Sequence, residues 1–147
     1  YWDEYRREPM DWYADETGPQ MTTWFKPADR YNRPADGVSV EEQDADPDSL
    51  LNTYRALAAL RAAHPALRSA DFELLTRVEG CPACLALWRW SADEAVFVAL
   101  NFSDRPAEPV IDRASAPVML AGAGAPEIIW GAPQIEGWGA LVARWGR

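Results

Sequence analysis

Apolar side chains recur every three to four positions between residues 46 and 64, and every second position beyond residue 67. The first pattern sets Leu50, Leu51, Tyr54, Leu57, Ala58 and Leu60 on one side of a helix. Ala56, Ala58, Ala59, Ala62 and Ala63 favour that conformation along its length. Asp46 is the expected N-cap, Pro47 suits the first helical position, and Asp48 complements the positive end of the dipole. His64-Pro65 ends the helix, since the residue before a proline is pushed out of the α region. The second pattern predicts short strands over residues 71–76, 83–90, 95–102, 109–112, 118–120, 127–130 and 139–145. Polar turn clusters separate them, among them Ser91-Ala92-Asp93-Glu94, Ser103-Asp104-Arg105-Pro106 and Glu136-Gly137. Even spacing with short polar turns argues for an antiparallel sandwich.

Residues 1–45 show little period and are dense in Pro, Gly, Asp and aromatic residues. So long a structureless stretch is uncommon in a compact domain unless it leans on something else. Exposed aromatics such as Trp2, Tyr5, Trp12, Trp24 and Tyr31 would be unfavourable in a free tail. The segment is therefore expected to wrap the rest of a larger protein. Without that partner it should be disordered or should self-associate with another copy.

A chain of 147 residues has room for one ordinary domain, or a small domain with an appendage. The net charge of −9 argues against nucleic acid or an anionic membrane as partner, because both call for a basic surface. No run approaches the ~20 apolar residues of a membrane span. Eight Trp fit two readings, core packing or platforms for stacking on sugar rings. Cys81-Pro82-Ala83-Cys84 precedes an apparent strand, whereas a redox motif normally opens a helix. A zinc site would need two further ligands, and His64 is the sole histidine. Inert or disulfide-paired cysteines in a turn, a redox role and a metal all stay open, and so do cytoplasmic and secreted bacterial settings.

Several blocks, in order, resemble the carboxy-terminal stretch of the α-amylase family of glycoside hydrolases. They are Arg7-Glu8-Pro9-Met10-Asp11-Trp12-Tyr13, the loop Gly18-Pro19-Gln20-Met21-Thr22-Thr23-Trp24, and Val40-Glu41-Glu42-Gln43. Asp48-Ser49-Leu50-Leu51, Tyr54-Arg55-Ala56-Leu57, the Leu60–Leu67 run and Val98-Ala99-Leu100-Asn101-Phe102-Ser103 follow. Each block is weak by itself, and their order and spacing carry the resemblance. It implies a loop and last helix of a (β/α)₈ barrel over residues 1–67, then a C-terminal, antiparallel, Greek-key-like β-sandwich over residues 68–147. The expected class is mainly β, preceded by one long helix and an irregular loop. A whole barrel needs on the order of 200 residues, so none fits here.

The family cleaves α-glucosidic bonds with retention, using a carboxylate nucleophile and a carboxylic general acid. Its catalytic carboxylates precede the Arg-x-Pro segment, so the resemblance carries no catalytic residue onto this chain. The segment by itself is expected to be inactive, while its parent chain is expected to be an enzyme acting on starch or maltooligosaccharides. Its partner would be the parent's catalytic barrel, which it stabilises, and α-glucan could reach its loop. A carbohydrate-binding module and a non-catalytic amylase relative acting as a structural subunit are the alternatives. No cofactor is expected within the segment; calcium often accompanies the family, with its usual ligands upstream.

Asp3 and Arg7 resemble an Asp/Arg pair that some members use to bind glucose, and charge-assisted bonds suit vicinal hydroxyls. Arg7 could instead anchor its loop by an ion pair with Glu4 or Asp11. Trp12, with Trp2 and Trp24, could stack on sugar or bury the loop against the barrel. Trp88 and Trp90 share a strand face by their spacing, as a platform or as core.

Overall fold

A computed structural model describes residues 8–21, 33–111 and 126–146. The chain divides into two compact units, Tyr1–Ala59 and Leu60–Arg147.

In the first unit, helix α1 spans Val40–Ala45, and α2 begins at Leu50 and runs to Ala63 in the second unit. Helix α1 lies within the stretch expected to be irregular. Its signal was legible as Ser39-x-x-Glu42, a capping box in which Ser39 Oγ accepts the Glu42 N–H at 3.2 Å. Glu42 returns the contact by accepting the Ser39 N–H and, at 2.6 Å, its hydroxyl. Asp46, expected to cap the long helix, instead ends α1, donating its N–H to the Glu42 carbonyl at 3.2 Å. Its carboxylate accepts the Asp48 N–H at 3.0 Å, a local turn that competes with helix. Ser49 takes the capping role, its hydroxyl accepting the Asn52 N–H at 3.2 Å. The stop at His64-Pro65 is where it was expected, and a 3₁₀ helix follows over Pro65–Arg68.

The second unit is a five-stranded antiparallel sheet: β1 Phe72–Leu75, β2 Cys84–Trp90, β3 Glu94–Asn101, β4 Glu127–Gly131 and β5 Ala140–Gly146. The spatial order is β1-β2-β3-β5-β4, so the β3 to β4 connection skips one position. The antiparallel, mainly β class expected from the sequence is present. Among the described residues it is one sheet, and irregular connections face its core side. Residues 109–111, expected as strand, are not: Pro109 has no N–H, and the Val110 N–H goes to the Glu79 carbonyl at 2.8 Å. Residue 112 and the strand expected at 118–120 lie outside the described residues.

The two-residue alternation sorts side chains onto two faces. On one, Ala86, Trp88, Ala95, Phe97, Ala99, Leu141, Ala143 and Trp145 form the core with Val78, Cys81 and Ile135 from the connections. On the other, Val96 and Val142 pack with Leu60, Ala66 and Leu67, which come from the end of α2 and the 3₁₀ helix. The register places Phe72, Leu74, Leu85 and Leu87 on that second face as well.

Two turns brace one end of the sheet. Asn101, buried, donates through Nδ2 to the Arg105 carbonyl at 2.7 Å and the Glu136 carbonyl at 3.2 Å. The Trp138 N–H donates to the Ser103 carbonyl at 2.9 Å. The turns approach so closely that a Cβ on Gly137 would lie 2.7 Å from Asp104 backbone atoms. Trp138 holds a φ of 60°, a left-handed conformation that costs a bulky residue about 1–3 kcal/mol.

Candidate functional site

Glu8–Tyr13, the described part of the Arg7 block, closes the N-terminus of α1. A helix start leaves N–H groups without partners inside the helix. Here Val40 and Glu41 donate to the Asp11 and Trp12 carbonyls at 2.9 and 3.1 Å, and Ala14 donates to Glu41 Oε2 at 3.0 Å. The segment thus becomes a shelf beside the start of α2. Pro9, Met10, Val38, Leu50, Leu51 and Tyr54 line an open groove of about 600 Å³ there. Leu50, Tyr54 and Leu57 are exposed, and α2 buries none of its residues.

The connection between the two helices is equally specific. Asn52 Nδ2 reaches the Gln43 and Asp46 carbonyls at 3.0 and 2.8 Å, and Ser49 Oγ donates to the Gln43 carbonyl at 2.6 Å. Arg55 pairs with Asp44. The Ser49-Leu50-Leu51-Asn52 block therefore ties the end of one helix to the start of the next.

The carboxylates with described partners have structural tasks. The Ser39 hydroxyl first, then the Gly37 N–H, hold Glu42 below the usual carboxylate range. A depressed folded pKa gives stability that is complete above the unfolded pKa and is lost as pH falls through the folded one. Glu42→Gln should therefore lower the stability of this unit near neutrality and flatten the acid limb of its profile, so that the two proteins converge at low pH. Denaturation midpoints between acidic and neutral pH check this; an unchanged acid limb would contradict it.

Cys81 and Cys84 form a disulfide that closes the turn into β2. No cluster of three or more His, Cys, Asp or Glu able to hold a metal ion occurs among the described residues.

No family model matches the chain. It is 37% identical over 101 residues to Alpha-amylase 3 of Dictyoglomus thermophilum, covering 69% of this chain and 19% of that protein. The chain belongs to the α-amylase family.

A probable alpha-glucosidase of Rhizobium meliloti is 28% identical over 151 residues, covering 98% of this chain and 26% of that relative. A trehalose-6-phosphate hydrolase of Bacillus licheniformis shares the fold, with a TM-score of 0.69 at 21% identity over 97% of this chain and 26% of that one. The alpha-amylase of H. orenii does so with a TM-score of 0.65 at 23% identity over 96% of this chain and 28% of its own. The chain thus spans only 19% of the Dictyoglomus and 26% of the Rhizobium relative's own length.

Of the residues expected to touch sugar, Asp3 and Arg7 lie outside the described residues, as do Trp2 and Trp24. Trp12 is described, and it is 44% exposed on the shelf. Trp88 is fully buried and Trp90 packs partly buried against the same core, so they form no platform. The exposed aromatic that the periodicity missed is Trp138, and its only sequence signal is a position between two glycines at a turn.

Proposed function

We propose that this chain is the non-catalytic C-terminal part of a retaining α-glucan hydrolase, acting on starch or maltooligosaccharides, and that it stabilises the catalytic barrel of its parent. The observation that carries the reading is uncovered apolar surface. Phe72, Leu74 and Leu85 are 60%, 53% and 40% exposed on a sheet face whose middle is covered by the end of α2 and the 3₁₀ helix. The relatives are about four to five times as long as the matched segment, so they hold ample chain to cover it. Alpha-amylase and alpha-glucosidase are the relatives' names, and they supply the substrate class. Any catalytic carboxylates and any calcium ligands would then belong to the rest of the parent.

Burying a side chain such as Phe or Leu contributes about 1.5–3 kcal/mol. In the parent enzyme, Phe72→Asp with Leu74→Asp should therefore speed thermal inactivation strongly while leaving kcat on maltotriose unchanged before heating. The 147-residue chain by itself should release no glucose from maltotriose. Hydrolysis by that chain, or an inactivation rate unmoved by both substitutions, would sink the reading.

A further inference from the structure

We infer that Trp138 and its turn form a surface site for an α-linked glucan chain, separate from any cleft of the parent. The inference rests on the proposed substrate class, and its geometry is its own. Trp138 is 71% exposed, whereas Trp88 and Trp145 are buried in the core of the same sheet. Exposure of a single aromatic residue is ordinary, but its support is not. The backbone holds this indole at a φ of 60°, a conformation that bulky side chains rarely adopt. Asn101, buried, clamps the two turns from beneath, and the Trp138 N–H is tied to Ser103. Little order is then left to impose on the backbone when a ligand settles on the ring.

The chemistry around the ring suits a sugar. An indole face stacks on the apolar C–H face of a pyranose, and polar groups at its rim take the hydroxyls. Asp104, Arg105 and Glu136, all exposed, stand on the same two turns. Their side chains make no ion pair among the described residues, which leaves donors and acceptors of both signs for neutral hydroxyls.

The site lies at the end of the sheet away from the 3₁₀ helix. Glu94, at the start of β3, receives the 3₁₀ helix through the Ala66 N–H. The braced turns follow Asn101, at the other end of the strand. Seven residue steps of about 3.3 Å put them roughly 23 Å apart.

The test titrates the ¹⁵N-labelled 147-residue chain with maltoheptaose and follows the indole N–H signals. The Trp138 signal should move and saturate in the millimolar range, while those of Trp88 and Trp145 stay in place. Trp138→Gly removes the ring and accepts a φ of 60° freely, so its Tm should equal or exceed that of the parent sequence while binding falls at least about tenfold. Absence of a saturable shift, equal binding by Trp138→Gly, or an equal response to cellohexaose would overturn the assignment. So would protection of the Trp138 ring from solvent in the full-length parent without glucan. If the parent degrades α-glucan and only this titration fails, the site alone is wrong. If the parent degrades no α-glucan, the reading beneath it falls too.

Discussion

Trp88→Ala should destabilise the β-unit by about 3–5 kcal/mol, the range for deleting a fully buried aromatic side chain. Trp88 has no exposed surface and sits at the centre of the core face. Its ring meets Phe97 edge-on, with centroids 5.2 Å apart, and Trp145 at a tilt, with centroids 5.1 Å apart. Such pairs add about 0.5–1.5 kcal/mol beyond area burial, so truncation removes stacking as well as volume. Small domains are stable by only about 5–15 kcal/mol, and this single change consumes a large share. Trp88→Phe should cost much less, because the indole N–H has no hydrogen-bond partner among the described residues. Chemical denaturation followed by near-ultraviolet circular dichroism checks both variants. A loss below about 1 kcal/mol for Trp88→Ala would show that Trp88 is no core residue.

The same residue shows how far the sequence could be read. Two-residue spacing set Trp88 and Trp90 on one face, and pairing in the sheet confirms that they share it. Which face was core could not follow from one strand's period, since that depends on what covers the sheet. Val78, Cys81 and Ile135 cover it, all from connections without a period of their own. Five strands were legible because alternation and turn clusters agree there. Residues 109–111 failed because proline and a bond to Glu79 replaced ladder pairing. Helix α1 was legible in its capping box and lay hidden within an acidic run. The disulfide was one of several readings, and only geometry closed the choice. Trp138 was illegible as an exposed residue, since its exposure follows from a left-handed turn braced by Asn101, 37 positions earlier in the chain. The family resemblance pointed to Arg7, Asp3 and Trp12, and of these the described residues include Trp12 alone.

Glu94→Ala should cost about 3 kcal/mol, nearly as much as the aromatic deletion, through a different cause. Its side chain is 8% exposed, and each oxygen has a task. Oε1 accepts the Ala66 N–H at 2.8 Å, and Oε2 lies 3.1 Å from His64 Nδ1 and 4.0 Å from an Arg144 nitrogen. Pro65 has no N–H, so Ala66 presents the first free donor of the 3₁₀ helix, and it is fully buried. Removing the carboxylate leaves that donor and the imidazole without their partner in a dry site, and such groups are costly when unsatisfied. Glu94→Gln keeps one carbonyl oxygen for Ala66 and should cost about half as much. Glu127→Ala is the control: Glu127 pairs with the same Arg144 but is largely exposed, so its loss should stay within about 1 kcal/mol. Hydrogen exchange locates the damage. In Glu94→Ala the amides of residues 60–68 should exchange faster, while those pairing β2 with β3 keep most of their protection. Equal loosening of the whole sheet, or equal cost for the Gln and Ala variants, would show that Glu94 does not join helix to sheet through the Ala66 bond.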